Sequence, residues 1–152
     1  MILYRQVCFF RFAFQYGIRN VPKEVIRILG RSCVEFSNNC IIACLENKRV
    51  LGYGVVRRLP RKYIFCEGKA YIIGPIFVDK DSRGRGIGTE IIRNLLNVCG
   101  NNCNIYAYVG INNFGSIKAF ENNDFSKIGY MKKTDGKFHI VSNASDFYVM
   151  LR

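Results

Sequence analysis

Residues 82–89 read SRGRGIGT. Gly84, Gly86 and Gly88 alternate with Arg83, Arg85 and Ile87, between an apolar run ending PIFVD and a run in which Ile87, Ile91 and Leu95 recur every fourth residue. That pattern suits an anion. The first amides of a helix have no intrahelical partner and point outward. Glycines remove the Cβ atoms that would hold a phosphate away, and the helix dipole and arginine charge attract it. Two phosphate loops are excluded by their offsets. A Walker A loop needs GxxxxGK[ST], and here Thr89 follows Gly88 with no lysine between them. In the dinucleotide fingerprint GxGxxG, Thr89 takes the place of the third glycine after Gly84 and Gly86. A nucleic-acid patch would interleave basic residues with exposed aromatics. The run after this loop is rich in Ile and Leu and carries few charges, which argues against nucleic acid.

Such a loop needs a strand to deliver it and a helix to receive it. Residues 70–79 supply the strand, and residues 87–99 supply the helix through Ile87, Ile91, Leu95 and Cys99, joined by Ile92 and Leu96. Upstream, residues 2–9 read as a strand, and residues 22–29 as a helix begun by Pro22 and stopped by Gly30. Residues 40–45 and 50–58 form a hairpin about the polar turn Glu46–Arg49, with Cys40, Ile42 and Cys44 on one core-facing side. Downstream come a strand at 105–110 and a helix at 114–123, with Phe114, Ile117 and Phe120 on one side and Asn113 as N-cap. Strands at 125–132 and 146–151 complete the chain. The order predicts one mixed α/β (α+β) domain over residues 1–152, a sheet carrying helices.

The loop also reads as R-x-x-G-x-G directly after a PIFVD strand, and in this it resembles the pyrophosphate loop of the GNAT superfamily of acyl-CoA-dependent N-acyltransferases. A second block strengthens the likeness. That family carries an Asn, a small residue three later, a Tyr four beyond that and a closing GF. Here NFGSIKAFENNDF places Asn113, Ser116, Phe120 and Phe125 at those spacings. The resemblance covers about residues 70–131, with the hairpin at 40–58 matching the preceding strands. It implies a central sheet of about six to seven strands splayed between the fourth and fifth, with about four helices. It implies acetyl-CoA as co-substrate, with no metal. The amides of residues 84–89 would hold the pyrophosphate. Arg83, Gly84, Arg85, Gly86, Ile87, Gly88 and Thr89 would line it with Asn113, Ser116 and Phe120, and the main chain of Ile76, Phe77 and Val78 would pair with the pantetheine arm. Pro75 fits this picture, because a proline within an apolar strand marks an edge or a bulge.

Acetyl transfer to an amine requires that the amine lose a proton, the thioester oxygen be polarised and the leaving thiolate be protonated. By the resemblance, an amide near Val78 polarises the carbonyl. The family's usual acid is the tyrosine of the second block, and this chain has Phe120 there, which has no proton to give. Tyr106 and Tyr108 alternate to one face of their strand, so both are expected at the cleft or both buried, and Tyr108 is the candidate acid. Glu67, just before the 70–79 strand, is the candidate base; it also suits a solvated turn, and a water chain can serve instead. Asp79 reads as a loop cap, Glu90 as compensation of the helix dipole, and His139 as part of an edge strand, GKFHIV.

Composition sets the wider bounds. The 152 residues carry a formal net charge of +12, a field that attracts anions. It favours an anionic acceptor such as a nucleotide-linked amino sugar over a basic peptide. An N-terminal or ribosomal-protein acceptor on an RNA-rich particle is the alternative, and a non-catalytic CoA-binding module is the rival from another class. The seven cysteines include no CxxC pair, and His139 is the single histidine, which disfavours a zinc site and suits reduced cytoplasmic thiols. Arg5 and Arg11 interrupt the apolar N-terminus, so neither a signal peptide nor a membrane span is expected. The aromatic tail DFYVMLR suits either a homodimer interface strand or an internal one.

Overall fold

The polar turn at Glu46–Arg49 closes the hairpin that the sequence predicts, as strands β2 (Asn39–Glu46) and β3 (Arg49–Arg58). Strand β1 (Ile2–Val7) pairs antiparallel with β2, and β4 (Lys69–Val78) pairs antiparallel with β3. Helix α1 (Ile87–Cys99) leads to β5 (Cys103–Gly110), which lies parallel to β4. Helix α2 (Phe114–Glu121) then leads to the hairpin β6 (Ser126–Lys133) and β7 (Gly136–Ser142). This computed structural model describes residues 1–7, 39–47, 49–59, 69–133 and 136–142. Within them the strands form one seven-stranded sheet in the order β1-β2-β3-β4-β5-β7-β6. The mixed α+β class is as expected from the sequence, and two of the roughly four expected helices fall among the described residues. The helix at 22–29, Glu67 and the strand at 146–151 lie outside them. β7 is an inner strand rather than the edge expected of GKFHIV, because the β6–β7 hairpin folds back so that β7 meets β5.

The core follows from the four-residue period of α1. Ile87, Ile91, Ile92 and Leu95 are buried against Ile42, Cys44, Val56, Ile73, Ile105 and Ala107 of the sheet. The helix approaches β3 closely because Gly52 and Gly54 present no side chain. A Cβ on Gly54 would lie 2.5 Å from Cγ2 of Ile91 and 2.9 Å from Cδ1 of Leu95. The opposite face of the sheet is also buried at Ile41, Val55 and Tyr53, and the Tyr53 ring stacks on Phe77 at 5.5 Å.

The sheet splits in its middle. β4 and β5 pair in register from Lys69/Cys103 to Ile73/Ala107 and no further, although β4 runs on to Val78 and β5 to Gly110. The split begins at Gly74–Pro75. Gly74 has φ +140°, a conformation L side chains rarely adopt, and the Gly74–Pro75 peptide is cis. Opposite them, the β3–β4 register slips between Gly54 and Val56, so three steps along β4 match two along β3. This is a bulge. Pro75 has no N–H to offer a ladder. Beyond the bulge β4 stays paired with β3 and leaves its other edge to the gap.

Replacing Gly54 with valine should push α1 off the sheet. Such overpacking costs about 1–3 kcal/mol, and a lowered denaturant midpoint with an unchanged slope would register it. An unchanged midpoint would show that the close approach of α1 is not needed.

Candidate functional site

Three elements enclose a cavity of about 590 Å³: the free half of β4, the loop entering α1, and α2. Its wall includes Ile76, Phe77 and Val78 from β4, then Arg83, Gly84, Gly86, Ile87, Gly88 and Thr89, with Asn113, Ser116 and Phe120 across from them. The residues expected to hold the co-substrate are therefore brought together, with one exception, Arg85, considered below; of the two expected catalytic residues, Tyr108 is not on this wall and Glu67 lies outside the described residues.

Strand alternation decides which β4 groups face the gap. The amide of Asp79 donates to the Leu51 carbonyl at 2.8 Å, so Asp79 and, two residues earlier, Phe77 turn their backbone groups toward β3. A Cβ on Gly52 would lie 2.7 Å from the Phe77 carbonyl oxygen, which agrees. Ile76 and Val78 then turn theirs toward the gap, and the Phe77 main chain is spent on β3. Phe77 meets the cavity by contact alone, a correction to the expectation that all three residues offer main-chain bonds.

The loop carries the backbone the glycines foretell. Gly84 and Gly86 have φ +78° and +75°, and a Cβ on either would meet nothing within 4 Å. Gly86 is the N-cap of α1 and offers no side-chain cap, and the first helical bond runs from the Glu90 amide to the Gly86 carbonyl at 3.1 Å. The amides of Ile87, Gly88 and Thr89 precede that bond and lack intrahelical partners. The Ile87 side chain is in the core, so its share of the site is its backbone. Open amides, a helix N-terminus and empty space beside the glycines fit a diphosphate.

The two loop arginines act differently from one another. Arg83 lines the cavity and donates from Nε to the Val78 carbonyl at 3.2 Å, tying the end of β4 to the loop. Arg85 turns away and pairs with Glu46 at 3.0 Å. Its charge, expected at the anion, is met by the β2–β3 turn, and Glu46 in return is held below the ordinary carboxylate range by that hydrogen bond. The same turn sends Arg49 to Asp79. Asp79 thus forms an ion pair in place of the expected loop cap; no side-chain cap bond is present. Glu90 stands in the first turn of α1, where it opposes the dipole, and pairs with Arg93.

Across the cavity, Asn113 caps α2 by accepting from the Ser116 amide at 3.1 Å, which explains the three-residue spacing in purely local terms. Phe120 is 3% exposed and meets Phe125 edge-on at 5.0 Å between centroids. It fills the core edge of the cavity. A residue the sequence did not single out holds the two helices together: buried Asn123 donates from Nδ2 to the carbonyls of Thr89 on α1 and Ala119 on α2, at 3.1 and 2.8 Å. Lys118, also on the wall, is another. The pairing of Glu46 with Arg85 spans 39 positions and is visible only once the strands are ordered.

Tyr106 and Tyr108 share a strand face but not a fate, contrary to expectation. Tyr106 is 9% exposed and lies opposite Ile72 in the paired half of β5, whereas Tyr108 is 42% exposed. Ala107 is the last residue paired with β4, so Tyr108 is the first one past the split. Tyr53 is buried, and burial pushes its phenol far above the usual range, so it stays protonated. Burial likewise pushes the Cys40 and Cys99 thiols up to about 11 and about 12, and raises Cys44 and Cys103. A cysteine nucleophile would need the reverse. His139 lies on β7 opposite Val109. No metal-binding cluster occurs among the described residues, and no helix among them is long and apolar enough to cross a membrane.

Fold and site define a domain that splits a sheet between a glycine-rich helix entry and a second helix. Residues 9–125 match the sequence model described as the acetyltransferase (GNAT) family. The chain belongs to that family and is a GNAT-type acetyltransferase. No curated protein matches it in sequence. Among solved structures, Naa50 of Arabidopsis thaliana in complex with the bisubstrate analogue CoA-Ac-MVNAL superposes with a TM-score of 0.70 at 18% identity, over 94% of this chain and 98% of that one. The aminoglycoside acetyltransferase AAC(6')-Ib in complex with coenzyme A gives 0.64 at 15% identity, over 95% of each chain. A ribosomal-protein-alanine N-acetyltransferase from Brucella melitensis gives 0.66 at 16% identity, over 92% and 98%.

Replacing Gly88 with valine tests the loop cleanly. Gly88 has no positive φ, and its Cβ would meet nothing closer than 3.8 Å, so the fold should stand while the branched side chain obstructs the amides. CoA affinity should fall by about tenfold or more, a loss of about 1.4 kcal/mol, with a melting midpoint close to the parent's. Unchanged affinity would place the anion elsewhere. Gly86→Val should damage both properties, because the +75° backbone also becomes strained.

Proposed function

We propose that this protein transfers an acetyl group from acetyl-CoA to a primary amine by direct attack within a ternary complex. The observation that carries the reading is the end of β4–β5 pairing at Ile73/Ala107, with the glycine-loop amides at one end of the opening it creates. Acetyl-CoA supplies an activated thioester. The gap-facing groups of Ile76 align its pantetheine arm, and the amide near Val78, whose carbonyl is held by Arg83, polarises the thioester carbonyl. The amides of residues 84–89 bind the diphosphate. The raised thiol pKa values of the described cysteines support attack by the amine itself over a cysteinyl acyl-enzyme.

Phe120 cannot protonate the leaving thiolate, so Tyr108 takes that role from its exposed position just past the split. Glu67, outside the described residues, is the side-chain base drawn from the sequence, with a water chain as its substitute. The acceptor is a small anionic amine such as a nucleotide-linked amino sugar, a choice supported by the net charge of +12. A protein or peptide N-terminus is the second reading, supported by the similarity to a fold that holds a peptide-bearing bisubstrate analogue. The reduced thiols fit a cytoplasmic setting, and homodimerisation is compatible with the tail.

Two measurements test this. Acetyl-CoA and CoA should raise the melting midpoint by mass action, and ATP should not. No shift with either CoA species at millimolar concentration would overturn the reading, and tight binding without turnover on any amine panel would favour a CoA-binding module. Tyr108→Phe should lower kcat by on the order of 10² while leaving the KM for acetyl-CoA unchanged. An unaltered kcat would remove Tyr108 from the chemistry.

A further inference from the structure

The cavity reading leaves one part of the co-substrate without a partner. The pantetheine arm enters the split and the diphosphate meets the loop, which leaves the third wall of the cavity, α2, to face the adenosine and its 3′-phosphate. This inference rests on the proposed CoA site and extends it.

α2 carries two side chains that its own fold does not use. Phe114 is 74% exposed, while Ile117 and Phe120 of the same helix are buried. It stands between Asn113 and Gly115, both on the cavity wall, and so at the rim. Lys118 lines the cavity and forms no ion pair among the described residues. The two are four residues apart, which puts them on one side of the helix. Helical side chains lean toward the N-terminus, so Lys118 reaches back over the turn that carries Phe114. The cation expected at the phosphates, Arg85, is off the wall and paired with Glu46. The other wall cation, Arg83, has its Nε on the Val78 carbonyl. That bond to a neutral carbonyl leaves the Arg83 charge at the loop, so a ligand bearing a diphosphate and a monoester phosphate meets Arg83 there and Lys118 on α2, neither in an ion pair among the described residues.

We propose that Phe114 and Lys118 form the site for the 3′-phosphoadenosine end of CoA, the ring stacking on the base and the ammonium pairing with the 3′-phosphate. Isothermal titration of the full chain with CoA, 3′-dephospho-CoA and 4′-phosphopantetheine separates the parts. The parent should bind CoA more tightly than dephospho-CoA. Lys118→Met should weaken CoA by about tenfold and leave dephospho-CoA unchanged, and Lys118→Arg should restore the difference. Phe114→Ala should weaken CoA and dephospho-CoA by about tenfold and leave 4′-phosphopantetheine unchanged. Both side chains are exposed, so the melting midpoints of the free variants should match the parent. Equal losses for CoA and dephospho-CoA in Lys118→Met, or no loss in either variant while the parent binds CoA, would overturn this assignment and spare the cavity reading. A parent chain that binds neither CoA nor dephospho-CoA would overturn both.

Discussion

β4 cannot accompany β5 past Ile73, and the rest of the site depends on that constraint. The bulge at Gly74–Pro75 advances β4 by one residue against β3 and puts a residue without an N–H at the point of divergence. Main-chain groups that would close a ladder are left facing a gap. An unpaired strand edge within a sheet carries a desolvation cost unless something bonds to it. A ligand with amide groups of its own answers that need, as an added strand would. The split is thus a cost to the free fold and, in the proposed function, the basis of binding.

Several contacts keep the opening in register with the loop beneath it. Arg83 joins the loop to the last carbonyl of β4, and Asn123 joins α1 to α2. The β2–β3 turn grips the loop from behind through Arg49–Asp79 and Arg85–Glu46. These ion pairs are partly exposed, so solvent screening leaves them little to add to stability. Their contribution is better understood as shape than as stability, since they hold both ends of a loop whose glycines would otherwise sample many conformations. The buried Asn123 is different in kind. Its two bonds satisfy carbonyls at the junction of the helices, and losing them would leave buried polar groups unpaired.

Much of this was legible in the sequence because the relevant signals are local. The period of Ile87, Ile91 and Leu95 gave α1 to the residue, and the three-residue offset of Asn113 and Ser116 is a capping geometry that any helix start can use. The glycine spacing marked the loop, and two of its three glycines, Gly84 and Gly86, take positive φ angles. What stayed hidden depends on topology. Nothing near Arg85 announces that Glu46 will neutralise it, because the two meet only when β2 is laid two strands from β4. Tyr106 and Tyr108 are equivalent by alternation and become different because pairing stops between them, at Ala107. The strand at GKFHIV looked like an edge because its polarity resembles one, whereas its place is fixed by the hairpin with β6.

In the proposed function the backbone of the split strand and of the glycine loop is the binding surface, and amide hydrogen exchange observes that surface directly. Exchange compared with and without saturating acetyl-CoA should slow at residues 76 and 78 and at 84–89 more than at the paired half of β4, residues 69–73. Protection confined to other segments, or none at residues 76, 78 and 84–89 under saturation, would contradict the central claim that the opening between β4 and β5 holds the co-substrate.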